Sequence, residues 1–137
     1  AYILVNDETE HANEAEDYLA TTKPPTGKKK KDYYLSLVEG RVTRQFYGIM
    51  RLVKAAEKGV NDPAVNKEAK ELISSIKKII DRAKGDRRAA LYLKLAVGQA
   101  CMPNFKAAKA SLAQAKNLGT AEKRLKSYHD YIDGLKP

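Results

Sequence analysis

Apolar residues recur at helical spacing through most of the chain. The first long stripe advances by three or four positions at a time, which is the spacing of one helix face. Its members are Leu35, Val38, Val42, Phe46, Ile49, Val53 and Ala56. Asp32 precedes the stripe as a candidate N-cap, and Gly59 follows it as a candidate C-terminal cap. The pattern predicts a long amphipathic helix from Tyr33 to Lys58.

A second stripe follows after a short break and predicts a helix antiparallel to the first. Asn61 or Asp62 can cap this helix, and Pro63 suits its first turn, where the missing N–H is no loss. The apolar positions are Val65, Ala69, Leu72, Ile76, Ile79 or Ile80, and Ala83. Because the connection is only a few residues long, we expect the two helices to form a hairpin.

The segment after Gly85-Asp86 is apolar on nearly every side, and only Lys94 and Gln99 interrupt it. Its apolar members are Ala89, Ala90, Leu91, Tyr92, Leu93, Leu95, Ala96, Val97, Ala100, Cys101 and Met102. A helix of this kind must be covered on several sides. We therefore expect the rest of the chain to pack around it.

Two further amphipathic segments complete the pattern. We expect Pro103 to open one helix and Thr120 to cap the next. Their apolar positions are Phe105, Ala108, Leu112 and Ala115 in the first and Ala121, Leu125, Tyr128, Ile132 and Leu135 in the second. No stretch shows the sustained alternation of a strand. The sequence thus predicts an all-α fold of five or six helices, arranged as antiparallel hairpins in a bundle or a short solenoid.

One of these hairpins has the pattern of a known repeat. The residues that carry this pattern are Tyr92, Leu95, Ala96, Asn104, Phe105, Ala108, Leu112 and Ala115. With them, about residues 89–122 resemble one tetratricopeptide repeat, a helix–turn–helix unit of about 34 residues. The sequence departs from that pattern at Gln99, Pro103 and Thr120. The resemblance implies a tetratricopeptide-like scaffold that binds peptides or proteins and performs no catalysis.

Charge divides the chain into an acidic start and a basic remainder. Residues 1–22 contain six acidic residues and no lysine or arginine, which gives them a charge of −6. Because the whole chain has a net charge of +9, the remaining residues carry +15. Pro24-Pro25, Gly27 and the lysines at positions 28–31 suit a linker. The sequence predicts an acidic arm and linker over 1–31 and a basic helical domain over 32–137. The lysine run fits either a solvated linker or a targeting or binding role.

Candidate chemistry is sparse. The chain has one cysteine and two histidines, which cannot supply a closed four-ligand zinc site, and it has no phosphate-binding loop. Glu10, His11 and Glu14 could hold a metal weakly, or simply form an exposed acidic helix face. Cys101 lies in the most apolar segment and suits a buried structural thiol. We expect no enzymatic activity, no cofactor and no resident metal.

The polar side of the long predicted helix carries the sharpest binding signal. At ~100° per residue, one line along it holds cations and tyrosines opposite Val42 and Ile49. We call this set the basic ridge and predict that it binds a partner; its members are Tyr33, Arg44, Tyr47, Arg51, Lys54 and Lys58. Arginine and tyrosine suit an acidic protein surface and equally suit phosphates and bases. Alternatively, the acidic arm covers the tyrosines and the cations are solvated.

These observations favour a non-catalytic protein–protein interaction module, an adaptor or an accessory subunit of a larger assembly. Its expected partner is a protein or an acidic peptide. The alternative is a basic helical nucleic-acid-binding protein, although no helix-turn-helix, homeodomain or zinc pattern occurs. No apolar run is long enough to span a membrane, but docking on a membrane complex stays open. The single cysteine favours a reducing, intracellular compartment.

Overall fold

Five α-helices account for most of the chain that the computed structural model describes, which is residues 28–136, with side chains from residue 33 onward. The helices are α1 (Lys28–Ala55), α2 (Pro63–Ile79), α3 (Gly85–Ala100), α4 (Phe105–Asn117) and α5 (Glu122–Leu135). Short 3₁₀ helices at Gly59–Asn61 and Ile80–Arg82 flank α2. No strand occurs over these residues, so the predicted all-α class is confirmed.

The most apolar helix is the one that the others surround. α3 contacts each of the other four helices, and its most extensive packing is against α4. Packing also joins α1 to α2, α2 to α3, and α4 to α5. Because every connection is short, successive helices reverse direction. Helices α1, α3 and α5 therefore run in the same direction.

The predicted stripes supply the buried core. On α1, every stripe residue from Leu35 to Val53 is buried, and Ala56, just beyond the end of the helix, is partly exposed. On α2 and the turn after it, all stripe positions are buried, including both Ile79 and Ile80. Sequence periodicity was sufficient here because a residue's position around a helix decides which way its side chain points.

The start and the end of α1 differ from the prediction. The helix begins at Lys28 rather than after Asp32, so it runs through the predicted boundary between linker and domain. Lysine is a good helix former, and Gly27 is the last helix breaker before this run. The helix ends at Ala55 because the chain turns to bury Val60, and Lys58 lies in that turn. The acidic arm and the linker up to residue 27 lie outside the described residues.

Two predicted helix starts are also wrong. Pro103 does not open α4; Asn104 caps it, and the Asn104 side chain accepts a hydrogen bond from the backbone N–H of Ala107 at 3.2 Å. Thr120 does not cap α5, because its hydroxyl donates to the carbonyl of Ala115 at 2.8 Å and closes the end of α4. The predicted Asp62 cap of α2 is confirmed, and it accepts from the N–H of Ala64 at 2.8 Å.

α2 and α3 approach each other closely where α3 has a glycine. A β-carbon at Gly98 would lie 3.1 Å from Ile73 Cγ1 and 3.3 Å from Leu72 Cδ2. The same region contains a polar link, since Asn66 Nδ2 donates to the carbonyls of Val60 at 2.7 Å and Cys101 at 2.8 Å. The amide thereby ties the α1–α2 connection to the end of α3.

Candidate partner-binding groove

The predicted basic ridge is present on α1 over part of its length. Arg44, Tyr47, Arg51 and Lys54 occupy successive turns of the helix and are all exposed. Arg44 also makes an interaction of its own, so its side chain is not free. These positions form a continuous line because steps of three and four residues keep side chains on one helix face.

The two end members of the ridge are separated from this line. Tyr33 is the first residue whose side chain is described, and it is 56% exposed. Its ring meets the Tyr34 ring edge-on, with the two ring centroids 5.6 Å apart. It is about 21 Å along the helix axis from Tyr47 at 1.5 Å per residue. Lys58 lies beyond the end of α1 and does not continue the line. The structure therefore concentrates the predicted site on the second half of α1.

A groove runs beside this half of α1, between it and α5. Two adjoining cavities of about 300 and 390 Å³ make it up, and they share Tyr47, Met50 and Tyr131. We call this feature the α1–α5 groove; its remaining lining residues are Phe46, Arg51, Val53, Lys54, Val97, Ser127, Tyr128 and Leu135. Most of these side chains are apolar or aromatic. The two cations, Arg51 and Lys54, are members of the basic ridge.

The groove exists because α1 and α5 make little contact with each other. Both pack on α3, whose buried Val97 contributes to the lining between them. At one point the two helices meet through stacked rings, where the centroids of Phe46 and Tyr128 lie 6.3 Å apart with 24° between the planes. Tyr47 lies at the edge and is 54% exposed. Such an apolar groove with a few cations suits an amphipathic segment.

Burial controls the protonation of two groups near the groove. It raises the pKa of the Tyr131 phenol to about 12, with Cys101 adding to the effect. It also raises the pKa of the Cys101 thiol to about 11. Both groups therefore stay protonated at neutral pH, which leaves Tyr131 neutral in the groove and Cys101 without thiolate reactivity.

The apolar pattern of α5 does not predict that this helix lines a groove. The pattern places Tyr128 and Leu135 on the core stripe and does not include Tyr131. All three are only partly buried, and they pack at the edge of the core. The available signal was the pair of tyrosines three residues apart, because such a pair gives α5 an aromatic face wider than one buried stripe needs.

A second groove lies between the end of α4 and the outer side of α5. Its cavity of about 620 Å³ is lined by Lys116, Thr120, Glu122, Leu125, Lys126 and His129. This lining mixes charges of both signs and contains no aromatic anchor apart from the imidazole. The α1–α5 groove is therefore the stronger candidate for a specific partner.

The described residues contain neither a cluster of metal ligands nor a helix that could span a membrane. Over residues 28–136 no group of three or more His, Cys, Asp or Glu side chains could hold a metal ion. The weak candidate Glu10, His11 and Glu14 lies outside that range. None of the described helices is long and apolar enough to cross a membrane.

Comparisons of the chain with protein-family models, curated proteins and solved structures find no match. The resemblance of about residues 89–122 to a tetratricopeptide repeat therefore stays a prediction. What is established about the region is its geometry: α3 and α4 form a closely packed antiparallel hairpin.

Proposed function

We propose that this chain is a non-catalytic binding module whose α1–α5 groove takes an amphipathic, acidic segment of a protein partner. The observation that carries the proposal is the exposed aromatic groove bordered by Arg51 and Lys54. Aromatic anchors and arginine dominate the energetics of many protein interfaces. In this role the chain would serve as an adaptor or an accessory subunit of a larger assembly.

The lining of the groove favours a peptide over a nucleic acid. Tyr47, Met50 and Tyr131 offer partly exposed apolar and aromatic surface that would be satisfied by an apolar side chain and not by a phosphate. A helix that lays its apolar face in a groove and its acidic flank along a basic edge satisfies both parts of the site. The nucleic-acid alternative instead depends on the general positive charge, which would make binding strongly dependent on salt.

The test uses peptides selected from a display library of acidic amphipathic sequences about 16 residues long, which covers the groove with margin. Affinity for the intact chain is measured by fluorescence anisotropy with the Tyr47→Ala variant and a matched control, Tyr33→Ala. Both tyrosines are more than half exposed, but only Tyr47 borders the groove. We expect Tyr47→Ala to weaken binding at least about tenfold and Tyr33→Ala to leave it unchanged.

A second pair of variants tests the basic edge. Arg51→Glu combined with Lys54→Glu should weaken the same peptides strongly, whereas Lys67→Glu with Lys70→Glu, two exposed positions on α2, should not. Equal losses from both pairs would indicate attraction by net charge alone and would overturn the groove proposal. Single-stranded RNA that binds more tightly than the peptides at about 50 mM salt, and loses that affinity steeply by about 200 mM, would favour the nucleic-acid alternative.

A further inference from the structure

One of the two cavities of the α1–α5 groove is lined mainly by aromatic rings. This cavity of about 300 Å³, which we call the aromatic cavity, has the buried residues Phe46 and Val97 at its base. The other residues that line it are at least partly exposed; they are Tyr47, Met50, Ser127, Tyr128 and Tyr131. A ligand in the aromatic cavity would therefore meet three tyrosine rings above an apolar floor.

The second cavity of the groove, of about 390 Å³, has a different character. Arg51 and Lys54 line it, whereas the lining of the aromatic cavity consists of aromatic, apolar and hydroxyl side chains. The aromatic cavity meets α5 between Ser127 and Tyr131, and the second cavity meets it between Tyr131 and Leu135, about one helical turn further on. The groove therefore offers neighbouring places for an uncharged side chain and for an acidic one.

Two kinds of side chain suit a cavity of aromatic rings, and the charges around this cavity favour one of them. Aromatic rings bind other aromatic rings, and they also bind methylated ammonium groups through cation–π contacts. The ammonium of Lys94 lies 5.9 Å from the centroid of the Phe46 ring, so this ring already interacts with one cation. Arg51 and Lys54 add positive charge in the adjoining cavity. Because like charges repel, these three cations disfavour a methylated ammonium and leave an uncharged aromatic group as the better ligand.

We propose that the aromatic cavity binds one uncharged aromatic side chain of the partner, a phenylalanine or a tryptophan, which anchors the partner segment in the groove. This inference rests on the proposed function and specifies the anchor that the partner must carry. The partner's acidic residues then lie about one helical turn from the anchor, beside Arg51 and Lys54. A helical partner meets both requirements at once, because residues three or four apart share a helix face.

The preference for an aromatic anchor comes from ring pairs as well as from apolar area. Offset-stacked and edge-to-face rings attract each other beyond the gain from the area that they bury. Cyclohexylalanine has nearly the size of phenylalanine, so it would bury a similar area but would make no such pairs with Tyr47, Tyr128 and Tyr131. We expect this replacement at the anchor to weaken binding about two- to tenfold, and alanine to weaken it at least about tenfold.

The first experiment tests the aromatic cavity without the basic edge. The chain contains no tryptophan, so the emission of a tryptophan ligand can be excited selectively. A fixed amount of N-acetyltryptophanamide, which has no net charge, is titrated with the intact chain up to about 1 mM. We expect its emission to move to shorter wavelength as the indole leaves water.

A substitution at Ser127 shows whether the indole enters the aromatic cavity. Ser127 is exposed and lines this cavity, so Ser127→Phe should occupy the space without disturbing the core, whereas Ser127→Ala leaves the space open and is the matched control. We expect Ser127→Phe to remove the shift in emission and Ser127→Ala to keep it. Thermal melting followed by circular dichroism checks that both variants fold as the wild type does.

The second experiment varies the anchor of a peptide selected in the test of the proposed function. Its aromatic residue is replaced in turn by cyclohexylalanine, alanine and trimethyllysine, and the affinity of each version is measured by fluorescence anisotropy. We expect the aromatic version to bind most tightly and the trimethyllysine version to bind no better than the alanine version. Selected peptides that lack a phenylalanine or a tryptophan would contradict the inference at once.

The outcomes separate this inference from the proposed function. If Tyr47→Ala weakens peptide binding while Ser127→Phe leaves both the peptide affinity and the indole shift unchanged, the anchor site is wrong and the groove stands. If Tyr47→Ala has no effect on peptide binding, the proposed function fails and the inference fails with it. No indole shift with the wild type would overturn the inference, and tighter binding of the trimethyllysine peptide would show that the cavity prefers a cation.

Discussion

Replacing Gly98 tests how closely α2 and α3 pack. A β-carbon at this position would lie 3.1 Å from Ile73 Cγ1 and 3.3 Å from Leu72 Cδ2, closer than ordinary van der Waals contact. Gly48 provides the comparison, because it also lies inside a helix and a β-carbon there would meet nothing within 4 Å. The two glycines share the backbone effect of the substitution and differ in the space available.

The expected magnitudes follow from that difference. Alanine is favoured over glycine inside a helix by up to about 1 kcal/mol, so Gly48→Ala should stabilise the fold by that order. Crowding in a packed core costs about 1–3 kcal/mol. We therefore expect Gly98→Ala to be less stable than Gly48→Ala by about 1–3 kcal/mol, and Gly98→Val to be less stable than the wild type by at least about 2 kcal/mol.

Thermal melting followed by circular dichroism measures both effects. For a chain of this size, 1 kcal/mol corresponds to a change of about 4 °C in Tm. Gly98→Val should thus melt at least about 8 °C below the wild type, and Gly48→Ala should melt above it. A Gly98→Val variant that melts with the wild type would refute the close approach of α2 and α3.

Two further predictions concern polar and ionisable groups at the end of α3. Asn66→Ala should lower the free energy of unfolding by about 1–3 kcal/mol, because the carbonyls of the buried residues Val60 and Cys101 lose a partly buried donor. Urea denaturation of this variant beside Asn61→Ala, a change at an exposed position, tests the prediction, and equal effects of the two substitutions would contradict it. Cys101 should resist thiol reagents at pH 8 until the chain unfolds, since its pKa rises from 9.0 to about 11 in the fold. Because the thiol ionises at a lower pH in the unfolded chain than in the fold, the free energy of unfolding should fall between about pH 9 and 11. Cys101→Ala should remove that part of the fall. A Cys101→Ala variant whose stability has the same pH dependence as that of the wild type would argue against burial of the thiol.

The sequence predicted the helices better than it predicted their ends. The apolar stripes of α1 and α2 were identified residue by residue, because burial on a helix follows from position around its axis. The end of α4 shows why boundaries were harder. Thr120 is a good N-cap by type, but its hydroxyl bonds backward to Ala115, and only the folded chain decides between the two uses.

The candidate site was likewise only partly predictable from the sequence. The ridge residues Tyr47, Arg51 and Lys54 share a face because of local spacing, which the sequence alone establishes. Their role in a groove depends on Tyr131 and Leu135, about eighty residues further along the chain. The approach of Lys94 on α3 to the Phe46 ring of α1 likewise joins distant segments, which no local pattern could indicate.

The sequence by itself determined the all-α class, the apolar stripes, the helix that the others surround and the exposed cationic line on α1. These follow from interactions within a few residues and from the need to cover apolar surface. Only the tertiary structure decided that α1 and α5 stand apart on α3 and leave an aromatic groove, and that Glu39 on α1 forms a salt bridge with Arg87 on α3. Such features depend on how distant helices pack, because the spacing between two helices is set by the side chains of both and by the helix on which they rest.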